Sequence, residues 1–211
     1  MRKSLWIILA IVLVAVGAPA AYADGVFTLG NHPQPNEQNI LFGSTQTGAT
    51  VFGSTNDTDT TVQFSSTTDV LMVTSSGQAN VTAMDGLVND ITLAVPGFAF
   101  GDFILNPFKP DVDSDLTVTV TMSDASVFTF GPYGSTNGNN FLTITTSGGE
   151  LISSVTIDST RGFQDLRQPR ISGLAVPPVP EPSSLLLLGS GALGLMGVLR
   201  RKLVRKAFQF C

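Results

Sequence analysis

Seven residues decide the fold class of this chain: Leu116-Thr117-Val118-Thr119-Val120-Thr121-Met122. Successive side chains of a β-strand point to opposite faces, so strict alternation of apolar residues with threonine predicts a strand with one buried and one hydrated face. The next four residues, Ser123-Asp124-Ala125-Ser126, have turn chemistry, and the alternation resumes in Val127-Phe128-Thr129-Phe130. The two segments together predict a β-hairpin.

The same alternation recurs along the chain between clusters of Gly, Asn, Asp and Ser. It is found at residues 61–64, 91–95, 142–144 and 155–157. A sustained 3.6-residue period is almost lacking between residues 24 and 176, which favours strands over helices. Short strands separated by turn-rich segments are typical of all-β folds, so we predict a jelly-roll-like β-sandwich over residues 24–175.

A phenylalanine-rich segment surrounds Gly97 and Gly101. We predict that its large side chains belong to the core at a bend in a strand, because large apolar side chains in folded domains are usually buried. An exposed aromatic platform for sugar rings is the alternative. The side chains concerned are Phe98, Phe100, Phe103, Leu105 and Phe108.

The amino-terminal end has the three parts of a secretory signal peptide. Arg2 and Lys3 precede an uncharged apolar run at residues 5–16, and Ala21-Tyr22-Ala23 supplies small residues where signal peptidase requires them. We predict a signal peptide at residues 1–23, cleavage before Asp24, and the Sec machinery and signal peptidase as partners. A retained amino-terminal anchor is the alternative, although the apolar run is short for a bilayer.

The carboxy-terminal end predicts a membrane anchor. A proline-rich linker at residues 176–182 ends in Val179-Pro180-Glu181-Pro182, and residues 183–199 carry no charge. We predict a transmembrane helix over 183–199 and a basic cytoplasmic tail over 200–211, beginning with Arg200 and Arg201. By the positive-inside rule, the β-domain then lies on the far side of the membrane from the cytoplasm.

The order of these parts closely resembles the PEP-CTERM sorting signal of Gram-negative bacteria that make exopolysaccharide. The resemblance covers residues 179–202: Val179-Pro180-Glu181-Pro182, the apolar helix and Arg200-Arg201. It implies an exosortase partner that recognises the motif and removes the helix and tail. It also implies that the β-domain lies on the periplasmic side of the inner membrane before processing. Members of the family usually stop soon after the basic cluster, whereas this chain continues to Cys211. A permanent single-span anchor is the alternative.

The charge distribution argues against one class of partner. Four basic and 16 acidic residues lie between residues 24 and 182, which gives this region a formal net charge of −12. Such a domain repels phosphate backbones, so we predict no nucleic-acid binding.

Catalytic groups are scarce, and we predict no catalytic residue and no enzymatic activity. The single histidine, His32, lies in a loop-like segment, and no Gly-x-Ser-x-Gly elbow accompanies it. The single cysteine, Cys211, falls in the predicted cytoplasmic tail, so the exported domain has neither a disulfide nor a Cys/His zinc site.

Carboxylates offer the remaining chemistry. Asp111, Asp113 and Asp115 alternate and supply the oxygen ligands that calcium prefers, but the glycine and terminal glutamate of an EF-hand loop are missing. We therefore predict no cofactor and a solvated turn here, with calcium as the alternative. Asn56-Asp57-Thr58-Asp59 is a second acidic loop of the same kind.

Three basic residues are concentrated at residues 161–170. We predict that Arg167 and Arg170 pair with carboxylates of an adjacent strand and fasten the last strand, with a glycan contact through Arg170 as the alternative. The whole sequence predicts an exported protein of the cell surface or extracellular matrix, structural or glycan-associated, with exopolysaccharide as a candidate partner. Two alternatives stay open: a carbohydrate-active hydrolase that uses paired aspartates, and a calcium-dependent lectin-like module.

Overall fold

The computed structural model describes residues 25–75, 77–110, 114–134 and 136–177, and in these ranges it contains strands and no helix. The prediction of an all-β domain is confirmed. The predicted signal peptide, transmembrane helix and basic tail lie outside the described residues. The strands are β1 (Gly25–Leu29), β2 (Gln38–Leu41), β3 (Gln46–Gly48), β4 (Thr50–Thr55), β5 (Thr61–Ser65), β6 (Leu71–Val73), β7 (Asn80–Ala83), β8 (Val88–Ala94), β9 (Asp102–Pro110), β10 (Asp115–Met122), β11 (Val127–Gly134), β12 (Leu142–Thr146) and β13 (Ile152–Ser172).

The predicted hairpin is confirmed as β10 and β11, which pair antiparallel. Val118 and Val120 are fully buried, while Thr119 between them lies on the opposite face of the sheet. The carboxylate of Asp124 accepts hydrogen bonds from the backbone N–H and the hydroxyl of Ser126, at 2.8 Å and 2.6 Å. These bonds close the turn, as the sequence Ser-Asp-Ala-Ser predicts.

One strand of 21 residues, β13, organises the fold. Its first half lies between β10 and β8, and its second half pairs with β9 on one side and with β7 and β2 on the other. The pairing with β8 shifts register between Asp158 and Phe163, where Gly162 has φ +83°. A Cβ at this position would lie 2.8 Å from the Cβ of Leu87, so the bend requires glycine.

The bend lets β13 take part in two regions of the sheet. A closed path of hydrogen-bonded strands runs from β13 through β2, β4, β5 and β8 back to β13. The architecture is therefore sheet-rich and barrel- or sandwich-like. The jelly-roll order of strands stays a prediction.

The core is filled by alternate residues of the strands, with Phe64, Phe100, Phe103 and Phe163 among the largest fully buried side chains. The prediction that the whole phenylalanine-rich segment is buried is correct for Phe100, Phe103 and Leu105 and wrong for Phe98, which is 40% exposed. Phe98 lies in a turn in which its N–H donates to the carbonyl of Val95 at 3.0 Å. The turn directs its side chain away from the alternating pattern.

Candidate functional site

Most of the predicted site residues fall outside the described part of the chain. This applies to the predicted cleavage residues Ala21, Ala23 and Asp24, to the calcium candidates Asp111 and Asp113, and to the sorting residues Val179, Pro180, Glu181, Pro182, Arg200 and Arg201. Asp115 is described: it is exposed at the start of β10, and its N–H donates to the hydroxyl of Thr160 at 3.0 Å. Within the described ranges no group of three His, Cys, Asp or Glu residues is arranged to hold a metal ion. The solvated turn at residues 111–115 stays a prediction, with calcium as its alternative.

A row of hydroxyl side chains crosses six neighbouring strands in register. Each member is the direct cross-strand partner of the next, and every one is exposed or half-buried. We call this row the hydroxyl face. From β11 to β4 the row consists of Thr129, Thr119, Thr156, Thr92, Ser65 and Thr50.

The hydroxyl face is rigid because the residues next to it in sequence are anchored in the core. Three adjacent members, Thr119, Thr156 and Thr92, are each flanked in sequence by core residues that are at most 2% exposed. The flanking residues are Val118, Val120, Val155, Ile157, Ile91 and Leu93. Thr92 and Thr156 also share a hydrogen bond of 2.8 Å between their hydroxyls. At roughly 4.8 Å per strand, the row extends over about 24 Å.

A second row runs beside the first and carries apolar side chains at its two ends. Its partners from β11 to β4 are Val127, Thr121, Ser154, Ala94, Gln63 and Phe52. Val127 is 57% exposed and Phe52 is 45% exposed. The two rows together offer fixed hydroxyl donors and acceptors bordered by apolar groups.

Beyond this face, the buried carboxylate of Asp90 anchors the loop that follows β5. It accepts hydrogen bonds from the hydroxyl of Ser66 at 2.7 Å, from the N–H of Thr67 at 2.9 Å, and from the N–H and hydroxyl of Thr68. Asp69 accepts a further bond from the N–H of Asn89 at 2.7 Å. A turn-like sequence, Ser66-Thr67-Thr68-Asp69, is thus held in one conformation.

Asp90 stands directly opposite Asp158 on β13. Burial alone would raise the pKa of Asp90, but hydrogen bonds from Thr68, Thr67 and Ser66 outweigh it and lower the pKa to about 2. The pKa of Asp158 is raised, first by burial and second by the negative charge of Asp90. As the pH rises, Asp90 therefore loses its proton before Asp158.

A second polar arrangement lies where β9 meets the second half of β13. Four residues form it, and we call them the Phe108 cluster: Phe108 and Lys109 on β9, with Asp165 and Arg167 on β13. Phe108 is the cross-strand partner of Asp165. Residues 165 and 167 are two apart on one strand, so their side chains lie on the same face.

The geometry of the Phe108 cluster fixes the orientation of Arg167. Its Nε and Nη2 donate to the two carboxylate oxygens of Asp165, at 2.6 Å and 2.9 Å. Its guanidinium carbon lies 3.4 Å from the centroid of the Phe108 ring. The Nζ of Lys109 lies 5.4 Å from the same centroid. The Asp165 side chain is 5% exposed and that of Arg167 34%, so the anion is buried while the cation faces solvent.

The prediction for the two arginines is half right. Arg170 pairs with Glu37, before β2, at 2.9 Å, and it also donates to Asn31, so it fastens the loop between β1 and β2 to the last strand. These contacts disfavour the alternative glycan role for Arg170. Arg167 pairs within its own strand and not with an adjacent one. His32 lies in the fastened loop, with Nε2 3.1 Å from the carbonyl oxygen of Leu29.

Sequence reasoning missed both the hydroxyl face and the Phe108 cluster. The spacing of Asp165 and Arg167 was a usable signal, because i and i+2 share a face in any strand. The phenylalanine-rich segment drew attention to Phe108 but not to its partners on β13, and no local signal marked the row of hydroxyls. Both groupings depend on which strands become neighbours.

Residues 178–202 match the PEP-CTERM protein-sorting motif. The chain therefore carries an exosortase sorting signal, as its sequence predicts. No curated protein matches the chain. A solved structure of a mutant carbohydrate binding module of family 29 covers 74% of this chain and 100% of its own, with 8% identity and a TM-score of 0.25, which is too distant to bear on fold or function. No membrane-spanning helix occurs among the described residues.

Proposed function

We propose that this PEP-CTERM protein is a non-catalytic, glycan-associated protein of the cell envelope or extracellular matrix. The motif at residues 178–202 identifies an exported protein with a membrane-anchored sorting signal and an exosortase as its processing partner. The observation that carries the glycan association is the hydroxyl face. Exopolysaccharide is the ligand that its chemistry fits.

The hydroxyl face suits a polymer of sugars for three reasons. Threonine and serine hydroxyls both donate and accept hydrogen bonds, as sugar hydroxyls do. The row repeats at the strand spacing over six strands, so an extended chain meets several equivalent groups, and weak contacts add through multivalency. Buried residues on either side of the threonines anchor the backbone that carries these side chains, so little conformational entropy is lost on binding.

The opposed pair Asp90 and Asp158 supports a non-catalytic role over the hydrolase alternative. A glycosidase needs two carboxylates that are free to act on substrate. The carboxylate of Asp90 is instead occupied by hydrogen bonds from Ser66, Thr67 and Thr68, and the residue is 7% exposed. A panel of glycosidic, ester and peptide substrates tests this role, and turnover lost on Asp158→Asn would establish the hydrolase.

Binding of exopolysaccharide from the producing host tests the glycan association. The Thr119→Val/Thr156→Val variant keeps the shape and strand propensity of both residues but removes two hydroxyls from the middle of the row. At about 1 kcal/mol for each of the two hydrogen bonds lost, we expect roughly thirtyfold weaker binding. The control is Thr28→Val/Thr47→Val, which changes exposed threonines on β1 and β3. Equal binding by both variants contradicts a role for this face.

The sorting step has its own test. Processing is expected to depend on recognition of Glu181, so Glu181→Ala leaves the protein inserted but uncut. The measurement is the mass and cell fraction of a tagged protein in hosts with and without the exosortase. Loss of the segment after Pro182 only when the enzyme is present supports release to the surface or matrix. Full-length protein in the inner membrane of both hosts supports the permanent anchor.

A further inference from the structure

We infer that the Phe108 cluster is a binding site for a carboxylate-bearing glycan, such as one that contains uronic acid units. This inference rests on the proposed glycan association and names the charge of the ligand. The site is separate from the hydroxyl face, because it is formed by the second half of β13 and by β9. The hydroxyl face is formed by the first half of β13 and other strands.

The first argument is local charge. Of the four basic residues between positions 24 and 182, Lys109 and Arg167 converge on one aromatic ring. Among the described residues the cluster contains one carboxylate, that of Asp165, for these two cations. A bound anion would relieve the repulsion between the two cations.

The second argument is preorganisation. Asp165 binds one edge of the Arg167 guanidinium, and the Phe108 ring lies against one face of it. The Nη1 of Arg167 takes no part in the contacts with Asp165. Asp165 is buried, so it fixes the guanidinium without competing for a ligand at the surface. Guanidinium groups bind carboxylates through paired, charge-assisted hydrogen bonds.

The third argument is the backbone at Lys109. This exposed lysine has φ +44°, a left-handed conformation that non-glycine residues seldom adopt. Its N–H donates to the carbonyl of Gly138 at 2.9 Å, so the conformation is held by the neighbouring loop. Strained residues of this kind concentrate at functional sites.

The formal net charge of −12 over residues 24–182 limits the class of ligand. A densely charged polyanion is repelled by the rest of the domain, whereas widely spaced carboxylates can reach the two cations with little repulsion. Exposed charges that are farther apart than the Debye length, about 10 Å at 0.1 M ionic strength, are largely screened from one another. The ligand class is therefore a polysaccharide with sparse carboxylates.

The test is affinity gel electrophoresis of the full chain in a mild non-ionic detergent. The probes are lightly substituted carboxymethyl cellulose and uncharged hydroxyethyl cellulose, which share a backbone. We expect the charged polymer to retard the protein more, with an affinity about tenfold higher, the effect of one charge-assisted contact. This preference is expected to decline with added salt.

Three variants assign the preference to the cluster. Lys109→Gln and the double variant Asp165→Asn/Arg167→Gln are expected to abolish it, and the double variant leaves no buried unpaired charge. Arg161→Gln removes the same charge from an exposed position on the other side of the Gly162 bend and is expected to retain the preference.

The outcomes separate this inference from the proposed function. Equal retardation by both polymers overturns the acidic-glycan site and leaves glycan association standing. If Arg161→Gln also loses the preference, the preference reflects non-specific attraction to positive charge, and this result too overturns the site. Binding of neither polymer overturns it too, and glycan association is then decided by the separate comparison of Thr119→Val/Thr156→Val with its control.

Discussion

Asp90→Asn is expected to destabilise the domain by an amount that depends on pH. The carboxylate accepts hydrogen bonds on both oxygens, including those from Ser66 and Thr67. Asparagine keeps one acceptor oxygen but places an NH2 group, itself a donor, where the other oxygen stood. This NH2 group would face the N–H and hydroxyl donors that bound the carboxylate, so a buried hydrogen bond is lost.

The size of the effect follows from the pKa of Asp90. The pKa is lowered from 3.8 to about 2 in the folded state. Each pKa unit corresponds to about 1.4 kcal/mol, so the ionised carboxylate stabilises the fold by about 2 kcal/mol. Because the folded pKa is the lower one, this contribution is fully present above about pH 5 and is lost as the pH falls towards 2.

Urea unfolding followed by circular dichroism between pH 7 and pH 2 measures this difference. We expect Asp90→Asn to cost about 2 to 3 kcal/mol at pH 7, and the gap from the wild type to shrink by about 2 kcal/mol at pH 2. Asp158→Asn is the matched control on the opposing strand. The raised pKa of Asp158 means that its charged form is disfavoured in the fold, so this variant is expected to lose no stability at pH 7. An Asp90→Asn penalty that is the same at pH 7 and pH 2 would refute the reasoning.

Three further substitutions test the fold. Gly162→Ala adds a Cβ at φ +83° with no room for it, so we expect a loss of about 2 kcal/mol or more in urea unfolding; an unchanged midpoint contradicts the bend. Arg170→Met leaves Glu37, whose side chain is 13% exposed, without its partner. We expect a loss of roughly 3 kcal/mol and faster hydrogen exchange in residues 30–37, and unchanged exchange there would argue against the fastening role. Phe100→Ala is expected to cost about 3 to 5 kcal/mol while Phe98→Ala costs little, and equal costs would show that Phe98 is buried after all.

The elements that the sequence predicts best are those encoded locally. The β10–β11 hairpin follows from seven alternating residues and a four-residue turn, and the structure has it in place. The length of β13 could not be predicted in this way. Asp158-Ser159-Thr160-Arg161-Gly162 has the composition of a turn, yet β13 continues through it. Ser159 pairs with Leu116 before the bend, and Phe163 pairs with Val88 and Pro110 after it.

The candidate sites are non-local, which is why sequence alone did not find them. Thr119 and Thr156 are 37 positions apart and become neighbours only through the register of β10 with β13. Phe108 and Arg167 meet because β9 pairs with the second half of β13. The sorting signal is the opposite case: its recognition needs no tertiary partner, so the order of its parts along the chain was enough.

The position of β13 at the end of the domain has a consequence for biogenesis. An exported chain that crosses the membrane from its amino terminus delivers the first twelve strands before the strand that joins them. β2, β7, β8, β9 and β10 all hydrogen-bond to β13, so none of these pairings can form until residues 152–172 have emerged. Contacts of such long sequence separation form slowly, and unpaired strand edges are prone to aggregate while they wait. Completion of the sheet therefore waits for the segment just before the sorting signal.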